Sequence, residues 1–414
     1  MQLEKCSFGI GDRFGKECRA QLTAIAKAKE LGVNLVPVWN KSFREHSIIG
    51  SKPEDTKRIV DSAIKEFNWN DSYYIDADHI NLKSVDYFID QANFFTLDVG
   101  EFINSQASED DLIKFISQVS SYHGDLQIPG LKNVFRVDAN LLKKIGDKYL
   151  RAIKEAGKIY RHILNKMPED SFVVEVSMDE VDQPQSPIEL FFILAAISFE
   201  NIPIQTIAPK FTGKFLKGID YIGDIKIFEK EFEEIILVIE QCKKIFELPK
   251  NLKLSVHSGS DKFSIYPILK KIINKYDVGI HVKTAGTTWL EELIGLVKSG
   301  NKGLQLVKEI YSEGYSRYEE LLKPYLHSVE IDKSKLPQPI ELMNWSGEKL
   351  VNCLQHEYKS KTLDVNLRQL LHISFRIAAE KGKIYYEAME EASASISECV
   401  SNNLYERHIK NIFI

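Results

Sequence analysis

Residues 172–179 read Phe-Val-Val-Glu-Val-Ser-Met-Asp, an apolar run that carries polar residues at every second position from its middle onward. Similar short runs of β-forming residues recur along the first 282 residues. They alternate with amphipathic helical stretches, a pattern typical of parallel βα units whose strands are covered on both faces. The eight predicted strands lie at 6–10, 35–39, 73–77, 94–99, 172–178, 205–208, 252–256 and 278–282.

Eight strands with intervening helices predict an α/β fold, a (β/α)8 TIM barrel, with an open doubly wound sheet as the alternative. The stretch between the fourth and fifth strands is too long for one crossover, and it predicts a helical insertion at about 105–168. Helical patterns continue after the eighth strand. We therefore expect a barrel domain over residues 1–300 and a helical C-terminal extension packed on it over residues 301–414.

The composition is that of an ordinary globular protein. Of 414 residues, 44% are hydrophobic and 27% are charged, and the net charge of −5 provides no positive field for nucleic acid or anionic lipid. The first residues lack the pattern of a signal peptide, and no apolar run is long enough to span a bilayer. Five scattered cysteines indicate reduced thiols. We expect a cytoplasmic protein that binds neither nucleic acid nor membrane.

Three histidines lie where predicted strands end. His79, His257 and His281 come from three different strands, and in a parallel barrel the carboxyl ends of the strands form the active face. Neutral imidazole is the commonest ligand of a catalytic divalent ion, so these residues predict a site for zinc, manganese, nickel or iron. Glu175, Asp98 and Asp179 are candidates for additional ligands. The alternative for each is a hydrogen-bonded core histidine.

Acidic side chains gather at the same face and could supply the acid and the base of a stereocentre inversion. They are Asp78, Glu175, Asp179 and Glu180. Period-two spacing places Glu175 and Asp179 on one side of their strand. As alternatives, one or two of the acids form interior salt bridges with Lys210 or Lys283, or Asp78 only orients a histidine.

Further charged residues at this face are candidates for binding a substrate, and the basic ones suit the carboxylate of a sugar acid. The candidates are Asp12, Arg13, Arg44, Asp98, Asp179, Lys210, Lys217, Asp261 and Lys283. For a loop charge taken alone, solvation is the ordinary alternative. His372, in a predicted tail helix, is given a structural role, with capping of the site as its alternative.

Eight motifs, in order along most of the chain, resemble the tagaturonate epimerase family. They are Gly-Ile-Gly-Asp-Arg-Phe-Gly at 9–15, Asp-Ala-Asp-His at 76–79, Phe-Thr-Leu-Asp at 95–98, Glu-Val-Ser-Met-Asp-Glu at 175–180, Lys-Gly-Ile-Asp-Tyr-Ile-Gly-Asp at 217–224, His-Ser-Gly-Ser-Asp-Lys-Phe-Ser at 257–264, His-Val-Lys-Thr-Ala-Gly-Thr at 281–287 and Asn-Leu-Arg-Gln-Leu-Leu-His at 366–372.

The resemblance implies a metal-dependent enzyme that interconverts tagaturonate and fructuronate in hexuronate catabolism, with relatives that act on neutral ketohexoses. It implies that Asp78 is the proton acceptor, that Glu175 is the proton donor, and that His79 and His257 bind the metal. His281 as a further ligand rests on its place at a strand end.

The inverted carbon of tagaturonate is β to the ketone, so simple enolisation does not acidify its hydrogen. Proton exchange at that carbon and a retro-aldol cleavage with re-formation of the bond both remain open. Two alternative functions also remain, a metal-dependent aldolase or isomerase for another keto sugar and a non-catalytic carbohydrate-binding barrel. The sequence leaves open whether the chain forms a homo-oligomer.

Overall fold

Eight parallel strands form a closed barrel, which confirms the predicted fold class and excludes the open sheet. The structure is a computed structural model and describes residues 1–179, 181–284 and 286–414. Around the barrel the order is β1-β2-β3-β4-β7-β8-β9-β10, and β10 pairs with β1; β5 and β6 form a separate antiparallel hairpin. The strands are β1 (Cys6–Gly11), β2 (Leu35–Ser42), β3 (Tyr74–Ile80), β4 (Phe94–Asp98), β5 (Gly124–Gln127), β6 (Val134–Val137), β7 (Val173–Ser177), β8 (Thr206–Ala208), β9 (Lys253–His257) and β10 (Ile280–Lys283).

Helices follow the barrel strands, fill the insertion between β4 and β7, and make up most of the chain after β10. They are α1 (Cys18–Glu30), α2 (Phe43–Ile49), α3 (Pro53–Glu66), α4 (Glu109–Gln118), α5 (Ala139–Leu164), α6 (Pro187–Phe199), α7 (Ile225–Ile245), α8 (Tyr266–Tyr276), α9 (Thr287–Ser299), α10 (Asn301–Ser316), α11 (Tyr318–Leu322), α12 (Pro339–Leu342), α13 (Gly347–Leu354), α14 (Val365–Ile373), α15 (Phe375–Lys381), α16 (Lys383–Glu391), α17 (Ser393–Asn402) and α18 (Lys410–Phe413), with a π-helical turn at Asn403–Ile409. No helix in these described ranges has the length and apolar composition that a membrane span needs.

The interior of the barrel changes from apolar to ionic halfway along its axis. Side chains on a strand alternate between the two faces of the sheet, so every second residue points into the barrel. Tyr74, Phe94 and Val173 belong to a buried apolar cluster inside the barrel. Two residues further along the same three strands stand Asp76, Thr96 and Glu175, all buried. These three polar residues belong to a polar layer inside the barrel. It lies nearer the carboxyl ends of the strands than the apolar cluster does.

The last helices of the chain complete the outer ring of the barrel. Helix α9 is buried along most of its length beneath α10, α13 and α17. Helix α17 also packs against α1, and α18 packs against α8. Phe8 of β1 contacts the rings of His408 and Phe413, each with a centroid separation of 6.3 Å. The end of the chain thus covers β1, at the position between α8 and α1.

Candidate active site

Lys283 stands at the centre of the polar layer. Its Nζ lies 2.8 Å from Asp76 Oδ2 and 3.0 Å from both Asp78 Oδ1 and Glu175 Oε1. Gly9 leaves room for the stem of this side chain, because a Cβ at Gly9 would lie 2.8 Å from Lys283 Cγ. A single ammonium therefore contacts three carboxylates, which is the interior salt bridge that the sequence left open as an alternative for the acids.

His79 reaches the same space through an irregularity in β3. Asp76 and Asp78 point inward, so strict alternation would turn His79 away from the barrel interior. The register between β3 and β4 shifts between Ala77 and Ile80, and His79 has a φ of 52°. Left-handed backbone is uncommon for a residue other than glycine and persists where the surrounding structure enforces it. Here it lets Asp78 and His79 face the same side.

Two histidines and one aspartate converge above Lys283. Asp179 Oδ1 lies 3.1 Å from His257 Nδ1 and 3.7 Å from His79 Nε2. The two imidazole rings are 5.3 Å apart between centroids. Among the described residues, these three form the group whose ligand atoms lie within 4.8 Å of one another, close enough to hold one metal ion.

The remaining nitrogen of each imidazole is held by a carboxylate. His79 Nδ1 lies 3.0 Å from Asp78 Oδ1, and His257 Nε2 lies 2.7 Å from Glu175 Oε1. A carboxylate on the far nitrogen is the usual way in which a protein fixes the orientation of a histidine that binds metal. His79 Nε2 and His257 Nδ1, which point toward Asp179, are buried and form no hydrogen bond. Two imidazole nitrogens that form no hydrogen bond and face the same carboxylate fit a divalent cation.

Burial opposes every charge in this cluster, but neighbours of opposite sign keep most of the groups ionised. Despite burial, His79 and Lys283 hold the pKa of Asp78 well below its ordinary value, and Lys283 and His257 do the same for Glu175. Despite burial, Asp179 raises the pKa of His257 to about 9. Asp76 differs, because its burial outweighs the attraction of Lys283 and raises its pKa to about 6. Asp76 is therefore the carboxyl in this layer that takes up a proton nearest neutral pH.

His281 does not reach the group of His79, His257 and Asp179. It precedes Lys283 by two residues on β10 and lies one layer deeper in the barrel, where its ring is 5.4 Å from that of Phe94. Its Nδ1 lies 2.9 Å from Ser7 Oγ. Burial lowers the pKa of His281 to about 3, so its imidazole is neutral. The sequence indicated that His281 lies on a strand, but it did not show how deep in the barrel the side chain lies.

Three of the predicted substrate residues lie in the loop after β1 and at the start of α2, and each has a different environment. Asp12 stabilises its own loop, because its carboxylate accepts hydrogen bonds from the backbone N–H groups of Gly15 and residues 16–17. Arg13 is buried, bonds Glu45 Oε1 at 3.0 Å and donates to the carbonyl of His372 at 3.2 Å. Arg44 is exposed.

The other predicted substrate residues lie at several places on the carboxyl face. Asp98 Oδ1 accepts from the Gly100 N–H at the end of β4. Lys210 and Lys217 are half-buried in the segment after β8. Asp261 is fully buried and its carboxylate bonds groups of the C-terminal helices, including Arg368 Nη2 at 2.7 Å. Glu180, the fourth candidate acid, lies outside the described residues.

Sequence reasoning missed Asp76 and its polar neighbours. Asn40 donates to Asp76 Oδ2 at 2.7 Å, and Thr96 Oγ1 lies 2.9 Å from Asp76 Oδ1 and 3.4 Å from Glu175 Oε1. The signal was present, since these residues stand at inward-facing positions on three adjacent strands. Recognising it needed the register between the strands, which periodicity alone does not provide.

A closed parallel barrel that gathers histidines, carboxylates and a lysine at the carboxyl ends of its strands is a (β/α)8-barrel enzyme. The family model of UxaE, described as tagaturonate epimerase, matches residues 1–412. The chain therefore belongs to the tagaturonate epimerase family and is an isomerase, which confirms the resemblance seen in its motifs.

The chain is also similar to individual proteins. The chain is 26% identical to the tagaturonate/fructuronate epimerase of Thermotoga maritima, over 98% of this chain and 80% of that protein. Its fold is similar to the glycerol-complexed crystal structure of the fructuronate-tagaturonate epimerase UxaE from Cohnella laeviribosi, with a TM-score of 0.82 at 24% identity over all of this chain and 82% of the other. The native structure of the same enzyme has a TM-score of 0.79 at 23% identity, over 100% and 82% of the two chains.

Proposed function

We propose that this protein interconverts tagaturonate and fructuronate with a divalent cation held by His79, His257 and Asp179. Family membership supports the reaction. The observation that carries the cation is the pair of buried imidazole nitrogens that form no hydrogen bond and face the Asp179 carboxylate. We assign the third ligand position to Asp179 in place of His281, because His281 lies a layer deeper beside Ser7.

The donor set of two imidazoles and one carboxylate accepts zinc, manganese, nickel or iron. A cation bound there would act as a Lewis acid toward oxygen atoms of the sugar. Asp78 and Glu175 orient the two histidines in the resting protein, and both lie beside Lys283. They flank the cluster from β3 and β7, which supports the assignment of one as acceptor and the other as donor of a proton.

Asp78 and Glu175 are both ionised in the resting protein, and this suits only one of their two proposed roles. Asp78 is ionised, which suits a proton acceptor. Glu175 is also ionised in the resting protein, so a role as donor requires a proton from a neighbour. His257 Nε2 at 2.7 Å and Lys283 Nζ at 3.0 Å are the nitrogen atoms that lie beside Glu175 Oε1. We therefore propose that Glu175 delivers a proton which it first receives from one of these two groups.

Replacing Glu175 tests the assignment of roles. We expect Glu175→Gln to lower kcat by about 100-fold or more, the range of general acid–base catalysis, while the protein still binds metal and sugar acid. The assay incubates the protein with tagaturonate and follows fructuronate by NMR. Glu155→Gln is the matched control, because Glu155 of α5 is also buried but bonds Lys158. Normal turnover by Glu175→Gln would contradict the donor role.

The same reaction in deuterated water separates the two chemical routes. Deuterium at the inverted carbon of the product supports proton exchange by Asp78 and Glu175. Product without deuterium at that carbon supports cleavage and re-formation of the adjacent carbon–carbon bond.

Removing the cation tests the metal site. We expect a chelator to abolish turnover and added divalent metal to restore it, and we expect elemental analysis of the purified protein to detect a bound metal. His257→Asn should lose that metal, whereas His162→Asn, at a half-exposed histidine paired with Asp86, should keep it. Full activity in chelator would exclude the proposed cation.

We further propose that the enzyme acts in the cytoplasm on a small sugar acid. All five cysteines are free, as expected for a reducing compartment. We also propose that the barrel spans residues 1–300 and the extension residues 301–414. The extension belongs to the catalytic unit, since its helices cover β1.

Size-exclusion chromatography of the purified protein would decide between a monomer and a homo-oligomer.

A further inference from the structure

His372 of α14 lies against the loops that carry the catalytic cluster, although it belongs to the C-terminal extension. A Cβ added to Gly286 would lie 2.4 Å from His372 Nε2 and 2.4 Å from the carbonyl oxygen of Gly259. Gly259 follows His257 by two residues, and Gly286 follows Lys283 by three. The imidazole of His372 therefore packs on the carboxyl rim of the barrel, between the ends of β9 and β10.

Both ring nitrogens of His372 are buried and neither has a hydrogen-bond partner. The side chain is 1% exposed. A buried polar group without a partner is costly, so each such group in a folded protein needs an explanation. An imidazole always carries at least one N–H, so His372 presents an unused donor at this rim.

The surroundings of His372 are positively charged. Arg13 donates to the backbone carbonyl of His372 at 3.2 Å. Burial, together with the charges of Arg13, Lys217 and Arg368, holds the pKa of His372 well below its ordinary value. Arg368 pairs with Asp261, and Arg13 pairs with Glu45. An unused N–H donor close to several cationic side chains suits an anion.

The region around Arg13 and His372 is close to Asp78, the proposed proton acceptor. Glu45, which bonds Arg13, is near enough to Asp78 for the two negative charges to interact. A sugar acid whose reacting carbons lie at the cluster could thus extend its carboxylate along the rim toward Arg13 and His372. Tagaturonate and tagatose differ only at this end of the molecule, where one has a carboxylate and the other a hydroxymethyl group.

We propose that His372, together with Arg13 and Lys217, binds the carboxylate of the hexuronate substrate and thereby makes the enzyme prefer sugar acids over neutral ketohexoses. This inference rests on the proposed function. It gives the C-terminal extension a direct part in substrate recognition. Helix α14 supplies the N–H donor, and loops of the barrel supply the positively charged side chains of Arg13 and Lys217.

The test compares tagaturonate with tagatose on His372→Phe, which keeps an aromatic ring and removes both nitrogens. We expect KM and Kd for tagaturonate to rise about 10- to 100-fold, the range that a hydrogen bond to a charged group supports. We expect the constants for tagatose to be unchanged. His372→Gln, which keeps an N–H donor, should recover part of the affinity for the acid. Thermal unfolding by circular dichroism verifies that each variant is folded.

Binding of both sugars is also measured by isothermal titration calorimetry, which does not depend on turnover. A wild-type protein that binds tagaturonate but converts neither sugar would disprove the proposed function and leave the carboxylate site to be decided by the His372 variants. Equal losses for the acid and the neutral sugar in folded His372→Phe would show a merely structural role and overturn the proposal. So would unchanged binding of tagaturonate, or a wild-type protein without preference for the acid.

Discussion

The ammonium of Lys283 is the positive charge shared by Asp76, Asp78 and Glu175, of which Asp76 and Glu175 are buried. The polar layer therefore depends on this residue. Its Nζ also lies 2.6 Å from Thr96 Oγ1. We expect Lys283→Met to leave the acids uncompensated and to lower the free energy of unfolding by about 3 kcal/mol or more at pH 7, as for other broken buried ion pairs. Turnover should be lost with it. Urea unfolding measures the effect.

Lys5→Met is the control for that measurement, because Lys5 pairs with Asp277 at the surface of the protein. Exposed ion pairs contribute little to stability, so this variant should unfold like the wild type. Equal effects of the two substitutions would show that Lys283 is not essential to the polar layer.

Sequence alone predicted which residues stand at the carboxyl ends of the strands, because the limits of apolar runs mark strand ends. It predicted Asp78, Glu175 and His257 in this way, and the structure brings them together. It offered Asp179 as an additional metal ligand but did not predict that Asp179, and not His281, faces His79. That arrangement depends on the bulge in β3 and on the depth of β10 in the barrel, which are properties of strand register.

At the scale of elements, the packing of α1 on the C-terminal helices encloses acidic groups. Glu17, which precedes α1, accepts a hydrogen bond from Ser397 Oγ of α17 at 3.3 Å. Burial, with a smaller effect of Asp12, raises its pKa to about 8. Glu292 of α9 is also buried, and its pKa lies well above the ordinary value, first because of burial. Both carboxyls are therefore neutral in the folded protein near pH 7.

A carboxyl with a raised pKa stabilises the folded state at low pH. The folded protein then binds more protons than the unfolded chain, so the stability due to Glu17 falls as pH rises from about 4.5, its ordinary value, toward about 8. Glu17→Gln removes this dependence. We expect the variant to be more stable than the wild type at pH 8 by roughly 1–3 kcal/mol, since one pKa unit corresponds to about 1.4 kcal/mol.

Denaturant unfolding at a series of pH values measures this effect. Glu30→Gln, at an exposed residue of α1, should follow the wild-type profile at every pH. A Glu17→Gln profile that runs parallel to the wild type would show that Glu17 titrates normally.

Long and strongly patterned elements were the ones that the sequence predicted well. Helix α5, which spans Ala139–Leu164, lies within the helical insertion predicted at about 105–168. The hairpin of β5 and β6 was missed, because its strands are short and mostly exposed and so lack an apolar run. Helix α2 was also missed, although Ser42 and Glu45 form a capping box that marks its start.

At the scale of the whole molecule, one buried network joins the barrel to its C-terminal helices. Asp261, four residues after the end of β9, accepts hydrogen bonds from Arg368 and Thr287, and its carboxylate lies 2.8 Å from His408 Nε2. Arg368 Nε also donates to the carbonyl of Gly218 at 2.6 Å. Since α17 and α18 complete the outer ring, we expect the barrel and the extension to unfold together in a single transition.

Arg368→Met tests this coupling. Its loss leaves the buried Asp261 carboxylate without its guanidinium, and we expect the free energy of unfolding to fall by about 3–5 kcal/mol, as for other buried pairs that lose one partner. Arg376→Met, at a half-exposed arginine that bonds Glu380, should change it little. Urea unfolding followed by tryptophan fluorescence and by far-UV circular dichroism should give coincident curves for the wild type. Two separate transitions would show instead that residues 301–414 fold independently of the barrel, and that the network between Asp261 and Arg368 does not couple them.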